Sequence, residues 1–271
     1  MPAMIQGREN PQDVKLRENL GRVSYKIAIM SGKGGVGKSS ISVNLAWALA
    51  MRDLRVGLLD ADIHGPNVPK MLGINELGFT GEEDSIDPVE VLPNLNVASV
   101  ANIGYGSDQA LIWRGPMKIG LIRQFLADVV WGDLDYMIVD TPPGTGDEAL
   151  TVGQEMKPLT GIVIVTTPQE VALLDSRKSV NFAEKMDIPV IGIVENMADG
   201  AQMKMFGSGG GERAAEELGV PFLGRVALDQ RIVSAGDSGR PYLGDCAEEE
   251  AGRQMLEIVD RIVTYCRGVD G

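Results

Sequence analysis

Four glycines, two lysines and three serines fall within ten residues, Ser31-Gly32-Lys33-Gly34-Gly35-Val36-Gly37-Lys38-Ser39-Ser40. The spacing G-x-x-x-x-G-K-[ST] suits one kind of chemistry. The glycines clear side chains away so that backbone N–H groups converge on phosphate oxygens, and a helix starting near Lys38 adds the positive end of its dipole. In such a loop Lys38 reaches the β- and γ-phosphates and Ser39 offers its hydroxyl to Mg²⁺. The residues expected to line a nucleotide are therefore Gly32, Lys33, Gly34, Gly35, Val36, Gly37, Lys38, Ser39 and Ser40. The alternative, a glycine-rich turn that binds nothing, fits poorly with the flanks: an apolar run from Tyr25 to Met30 precedes the loop, and Ile41, Val43, Leu45, Ala46 and Leu49 follow it. Strand, loop and helix are the context that the motif requires.

Two acidic strand ends supply the other half of such a site. The buried run Arg55–Leu59 leads into Asp60-Ala61-Asp62-Ile63-His64-Gly65-Pro66-Asn67, at the carboxyl end of a parallel strand, where α/β folds place ligands. Asp60 is expected at Mg²⁺ and Asp62 at the attacking water; helix capping by Asp62 or Asn67 is the competing role. His64, the one histidine, reads as a packing or switch residue rather than a metal ligand. Tyr136-Met137-Ile138-Val139-Asp140, followed by Thr141-Pro142-Pro143-Gly144-Thr145-Gly146, repeats the arrangement. Asp140 is expected to hold Mg²⁺ through water, and the proline–glycine turn to move with the γ-phosphate. Asn196 and Asp229, near the ends of two later strands, are candidates for the adenine edge and equally plausible turn formers.

The elements that must position these residues follow from the chain's periodicity. Polar residues 1–24 read as a lead-in with a short surface helix; residues 25–271 read as one domain. Residues 73–94 form an acidic, turn-rich excursion, and Leu95–Val100 resumes as a strand. Met117, Leu121, Ile122, Phe125, Leu126, Val129 and Val130 recur at helical spacing, preceded by Trp113-Arg114, whose arginine could face a nucleotide, a partner subunit or solvent. Strands at 161–165, 189–194 and 222–226 alternate with helices at 169–185 and 212–218. Such alternation implies an α/β fold with a mostly parallel central sheet and helices on both faces.

Composition narrows the function classes. With 38 acidic against 25 basic residues the net charge is −13, which argues against nucleic-acid or acidic-membrane partners. No apolar run approaches a membrane span, no signal peptide is evident, and two cysteines do not make a disulfide framework; a cytoplasmic protein is expected.

Lys33 makes the phosphate loop resemble the deviant loop of the MinD, ParA, nitrogenase iron protein and ArsA group. Within that group the chain resembles the Mrp/ApbC family of iron–sulfur cluster carrier ATPases. The resemblance rests on Asp60–Pro66, Trp113-Arg114-Gly115-Pro116, Asp135–Glu148, Pro168-Gln169-Glu170-Val171-Ala172, Glu195-Asn196-Met197, Phe206–Gly211 and Leu228–Gly239. It implies a three-layer P-loop NTPase that binds ATP and Mg²⁺ and works as a homodimer. It also implies that Lys33 reaches the partner subunit's nucleotide, with Lys33, Lys38 and Asp62 as catalytic groups, and that the cargo is a [4Fe–4S] cluster for client or scaffold proteins.

One stretch departs from the family. Between Asn196-Met197 and Phe206 the family carries a C-x-x-C pair that bridges a dimer through a cluster. Here the interval reads Ala198-Asp199-Gly200-Ala201-Gln202-Met203-Lys204-Met205, and thioethers do not replace thiolates at cluster iron. Cys246, before three glutamates, is expected in the first turn of the last helix, and Cys266 on that helix's apolar stripe. About 20 residues of helix put the two roughly 30 Å apart, so one subunit cannot chelate a cluster with both. Cys246 from each subunit is the remaining cluster candidate. The glycine-rich loop Met203–Gly211 ends at a helix start and reads as a second anion site or a linker. The functional classes left open are a cluster-assembly ATPase and a cluster-free, nucleotide-switched regulatory or positioning ATPase acting on a partner protein.

Overall fold

The computed structural model describes residues 10–81, 85–103, 115–169, 171–201 and 204–269. The acidic residues 82–84, Trp113, Arg114, Glu170 and Met203 lie outside them. Eight strands form one sheet: β1 (Val23–Met30), β2 (Val56–Asp60), β3 (Val89–Leu92), β4 (Leu95–Ser99), β5 (Leu134–Asp140), β6 (Gly161–Thr166), β7 (Val190–Ala198) and β8 (Phe222–Ala227). Their order is β3-β4-β2-β5-β1-β6-β7-β8, parallel throughout except for β3 against β4.

Helices cover both faces, because alternate strand residues are apolar on both. In β1, Ile27 and Ile29 pack into one core and Ala28 and Met30 into the other. The first core is closed by α2 (Lys38–Ala50), α3 (Val68–Met71), α8 (Gln230–Asp237), α9 (Tyr242–Asp245) and α10 (Glu250–Val269). The second lies under α1 (Pro11–Gly21), α4 (Gly115–Asp128), α5 (Asp147–Glu155), α6 (Val171–Met186) and α7 (Gly210–Leu218). This is the three-layer α/β arrangement with a mostly parallel sheet that the alternation implies.

The amino-terminal helix is more than a surface lead-in. Asn10 caps it by accepting from the Gln12 N–H at 3.1 Å, and Pro11 opens it. Leu16 and Leu20, four residues apart on one face, are buried against the second core, each worth about 2 kcal/mol of transfer free energy. Asn19 completes the attachment by donating to the carbonyls of Leu126, Ala127 and Val129 at 2.8–3.2 Å, at and just beyond the end of α4 where helix carbonyls lack intrahelical partners. Its low apolar content hid this packing, since two leucines among charged neighbours carry its apolar part.

The last helix also differs from expectation. Asp245-Cys246 closes α9, and α10 begins only at Glu250. Cys246 therefore lies ahead of the helix rather than in its first turn, in a turn where the Glu249 N–H donates to the Cys246 carbonyl at 3.1 Å and where a Cβ on Gly252 would collide with the Cys246 and Ala247 carbonyls. Cys266 is fully buried on the apolar stripe, as expected.

Candidate functional site

Sheet register brings the acidic strand ends together. Asp60 and Asp140 are cross-strand partners where β2 and β5 finish, and Ile29, one residue before the end of β1, pairs with Asp140 on its other side. The phosphate loop leaves β1 there and enters α2 at Lys38, with Gly35 and Gly37 at φ 78° and 82° in the left-handed region that favours glycine. Gly32 is required for a different reason: a Cβ on it would collide with the Asp175 backbone in α6.

Asp140 is completely buried beneath the loop. The Ser39 hydroxyl donates to its Oδ2 and the Ser42 hydroxyl to its Oδ1, both at 2.6 Å. The Lys38 ammonium lies 2.8 Å from Oδ1, yet it is buried without a well-directed hydrogen bond, so its protons are available to another acceptor. Asp60 sits beside this group. It accepts from the Asp62 and Val68 N–H groups at 3.1 and 3.3 Å and from the Ser99 hydroxyl at 3.2 Å. Burial, then the Asp140 charge, pushes its carboxyl well above the ordinary range. Ser42 and Ser99 carry no motif in the sequence; their roles come only from strand order and helix phase.

The loop opens into a cavity of about 270 Å³ lined by glycines 34, 35 and 37 together with Lys38, Asp62 and Pro143. Asp62 is half-buried at its edge, accepting at 3.3 Å from the His64 and Gly65 N–H groups. Burial raises its pKa, with Lys38 opposing. The turns after β2 and β5 approach each other here: His64 Nε2 lies 3.8 Å from Glu148 Oε1, while the Gly144 N–H donates to the Ser31 carbonyl of the phosphate loop at 2.7 Å. Lys33, in contrast to Lys38, is half-exposed, and among the described residues no carboxylate pairs with its ammonium.

A second cavity, about 240 Å³, continues from the first past Gly37, Ser40, Asn67 and Met71 to Asn196 and Asp229. Asn196 is buried, and its Nδ2 donates to the Val36 carbonyl at 2.9 Å, bracing the phosphate loop from β7. Met197 stands at φ 57°, in the left-handed region, on the order of 1 kcal/mol of strain that turns the chain at the cavity wall. Asp229 caps α8, and both its oxygens are engaged, by Arg231 at 2.7–3.1 Å and by the Tyr242 hydroxyl at 2.8 Å. Those bonds, chiefly the Arg231 guanidinium's, hold its pKa down at about 2. Because the folded state lowers this pKa, its stabilisation is complete above the ordinary carboxylate value and fades as pH falls toward 2. Asp229→Asn should therefore unfold at lower urea than the parent near about pH 7, with the deficit shrinking toward about pH 2; urea midpoints across that range check it.

The glycine-rich loop, the two buried carboxylates and the turns after β2 and β5 are the setting in which comparison with known proteins becomes informative. The ParA-type family model described as NUBPL iron-transfer P-loop NTPase matches residues 22–263. The chain belongs to this family. An iron–sulfur cluster carrier protein of Methanocaldococcus jannaschii is 48% identical over 264 residues, covering 95% of this chain and 90% of that one. A carrier of the same description from Pyrococcus horikoshii is 43% identical, covering 97% and 93%. Among solved structures, a nucleotide-binding protein of Archaeoglobus fulgidus in complex with ADP is 35% identical, with a TM-score of 0.73 over 84% of this chain and 91% of that one. The septum site-determining protein MinD of P. horikoshii, complexed with Mg-ADP, covers 91% and 98% at a TM-score of 0.68, and its 21% identity bears on the fold alone.

In this iron-transfer P-loop NTPase the described residues of the interval without cysteine are tied together at Asp199. Asp199 accepts from the Met205 and Phe206 N–H groups at 2.7 and 2.8 Å, and its own N–H donates to the Gly207 carbonyl at 2.8 Å. Hydrogen bonds from Met205 and Phe206 hold its pKa below the usual carboxylate range. The glycine loop beyond it is no second anion site. Glu195, fully buried in the second half of β7, accepts from Gly209 at 2.9 Å and Gly211 at 2.5 Å and so fills the amino terminus of α7 itself. Glu195→Ala should destabilise the fold by about 3 kcal/mol, since two N–H groups lose a charged acceptor, with amide exchange accelerating first at residues 209–213. Cys246 is partly buried ahead of α10 and Cys266 fully buried within it. Among the described residues no cluster of three or more His, Cys, Asp or Glu side chains is arranged to hold a metal, and no helix is long and apolar enough to cross a membrane.

Proposed function

We propose that this P-loop NTPase hydrolyses ATP as a Mg²⁺-dependent, cytoplasmic homodimer acting in iron–sulfur cluster assembly or transfer. The observation that carries the reading is the set Lys38, Ser39 and Asp140, with the lysine and the aspartate buried, under a loop in which Gly34, Gly35 and Gly37 line the cavity. The set fits ATP: Lys38 holds buried protons without a well-directed acceptor, and the loop faces a cavity continuous with a second one large enough for a base. It also fits Mg²⁺, a hard ion that takes oxygen ligands and keeps several waters. Ser39 would hold the ion directly, with Asp140 and Asp60 behind it through water. When bound, Mg²⁺ supplies charge neutralisation across the β- and γ-phosphates.

The remaining groups divide the work by position. Lys38 binds phosphate oxygens. Asp62, at the cavity edge, accepts a hydrogen bond from the attacking water and orients it. Lys33 leaves the mouth of the loop and completes the partner subunit's site, adding positive charge where negative charge develops in the transition state. Asn196 holds the loop and presents its amide edge toward the base, while Asp229 shapes the wall through Arg231 and Tyr242.

The cluster is cargo rather than a resident group. The absent cysteine pair, the burial of Cys266 and the partial burial of Cys246 support a reading in which a partner protein holds the cluster and this dimer drives its assembly or release. A symmetric site using Cys246 of each subunit is the competing arrangement. Two measurements test the proposal. Mg²⁺-dependent phosphate release that vanishes in Lys38→Ala is expected; its persistence would remove the assignment of the phosphate loop. Anaerobic incubation with iron and sulfide is expected to leave the dimer colourless, whereas a stable brown species with about four iron per dimer would overturn partner-held cargo in favour of direct carriage.

A further inference from the structure

A lysine that serves a facing subunit works best from a fixed root, and the residues beside Lys33 work against one. Its four-carbon stem is flexible, and Gly32, Gly34 and Gly35 surround it with the most permissive backbone a chain can have. Three contacts restrain this half of the loop. The Ser31 hydroxyl donates to the Lys33 carbonyl at 3.0 Å, closing the chain over Gly32. The Ser31 carbonyl in turn accepts from the Gly144 N–H at 2.7 Å, so the turn after β5 anchors Ser31 itself. Gly32 lies so close to the Asp175 backbone of α6 that a Cβ would collide with it. Ser31 is 1% exposed, and a hydroxyl so buried is costly unless it is paired. Its partner here is the backbone of Lys33.

The other half of the loop has a brace of its own, the Asn196 amide on the Val36 carbonyl at 2.9 Å, next to Gly37 and Lys38. The two braces come from different elements and hold different residues. We propose that Ser31 is the positioning residue for Lys33. Its hydroxyl, anchored through Gly144, fixes the point from which the Lys33 ammonium reaches out, while Asn196 serves the cradle that holds the subunit's own phosphates. The inference rests on the cross-subunit role proposed for Lys33 above. Orientation of a group that acts in the transition state bears on turnover rather than on ground-state binding. Ser31 and Asn196 therefore divide rate from affinity.

The test combines Ser31→Ala and Lys33→Ala, singly and together, in the full-length protein, read by equilibrium ATP binding and single-turnover hydrolysis with Mg²⁺. Ser31→Ala is expected to bind ATP as the parent does and to lose about tenfold in turnover, the worth of one hydrogen bond that sets an orientation. In the Lys33→Ala background the same substitution is expected to cost nothing, because the carbonyl remains but the ammonium it places is gone. A merely structural serine would cost the same in both backgrounds, and that result would overturn the assignment. So would undiminished turnover in Ser31→Ala, or weaker ATP binding by it, which would put the hydroxyl on the subunit's own phosphates. If Ser31→Ala does not fold, Ser31→Cys, of similar size and with only a weak donor, carries the same comparison. Parent-level turnover in Lys33→Ala alone is a separate outcome, and it would remove the cross-subunit reading together with the inference built on it.

Discussion

Lys33→Ala is expected to retain ATP binding while losing about 10³–10⁵ in turnover, the range attached to a cationic group supplied across an interface in phosphoryl transfer. The two lysines of the loop differ in how the structure uses them. Lys38 is 6% exposed and lies 2.8 Å from Asp140, inside the cradle that holds phosphate. Lys33 shares the loop but stands half-exposed at its mouth. Its carbonyl accepts from the Ser31 hydroxyl at 3.0 Å, which steadies the backbone without engaging the ammonium. A cation so placed adds little to ground-state binding and much to a transition state that reaches it from a facing subunit. Equilibrium nucleotide titration and single-turnover hydrolysis separate the two effects. Mixing decides between subunits: Lys33→Ala and Asp62→Asn are each expected to be inactive, but a heterodimer restores one complete site. Random exchange should then return roughly a quarter of the parent turnover. If Lys33 acted within its own subunit, no mixture of the two variants would recover activity, and that result would sink the cross-subunit assignment.

The parts of this site that the chain displays openly are the local ones. Gly32 to Ser40 is contiguous, and Asp140 ends an unbroken apolar run, so each announces its role within a few residues. Asp60 reads as acidic and strand-terminal, but its proximity to Asp140 depends on β2 pairing with β5, which follows from strand order rather than from any local pattern. Ser42 and Ser99 escape notice for the same reason: each is an ordinary serine until helix phase or strand register points its hydroxyl at a buried carboxylate. Glu195 was legible as part of a motif, yet its task, filling the amino terminus of α7, appears only once β7 is seen to continue to Ala198. Cys246 misled because three following glutamates imitate a helix start, while the chain first makes a turn over residues 246–249 and the helix begins at Glu250. Periodicity located the elements; adjacency between them decided the chemistry.

Asp140→Asn is expected to act twice, on the fold and on the metal, and the two effects can be read apart. Asp140 has no exposure, and three donors converge on it: Ser39 and Ser42 at 2.6 Å and the Lys38 ammonium at 2.8 Å. An amide in its place removes the charge and turns one acceptor into a donor facing a donor. Breaking a buried pair by removing one partner typically costs about 3–5 kcal/mol, since the remaining charge stays desolvated. The urea midpoint of the nucleotide-free protein should fall accordingly. Ser42→Ala is the structural control: it deletes one hydrogen bond to the same carboxylate, about 2 kcal/mol, and keeps the charge. The metal effect then shows in nucleotide titrations with Mg²⁺ and with a chelator. The parent and Ser42→Ala should bind ATP more tightly when Mg²⁺ is present. Asp140→Asn should lose that dependence, because the hydroxyl of Ser39 no longer has an anion behind it to help hold the ion. Chelator-treated affinity should change far less, since Lys38, released from its carboxylate, turns fully to the phosphates. An unchanged Mg²⁺ dependence in Asp140→Asn would confine this carboxylate to a structural role and move the metal assignment to Asp60.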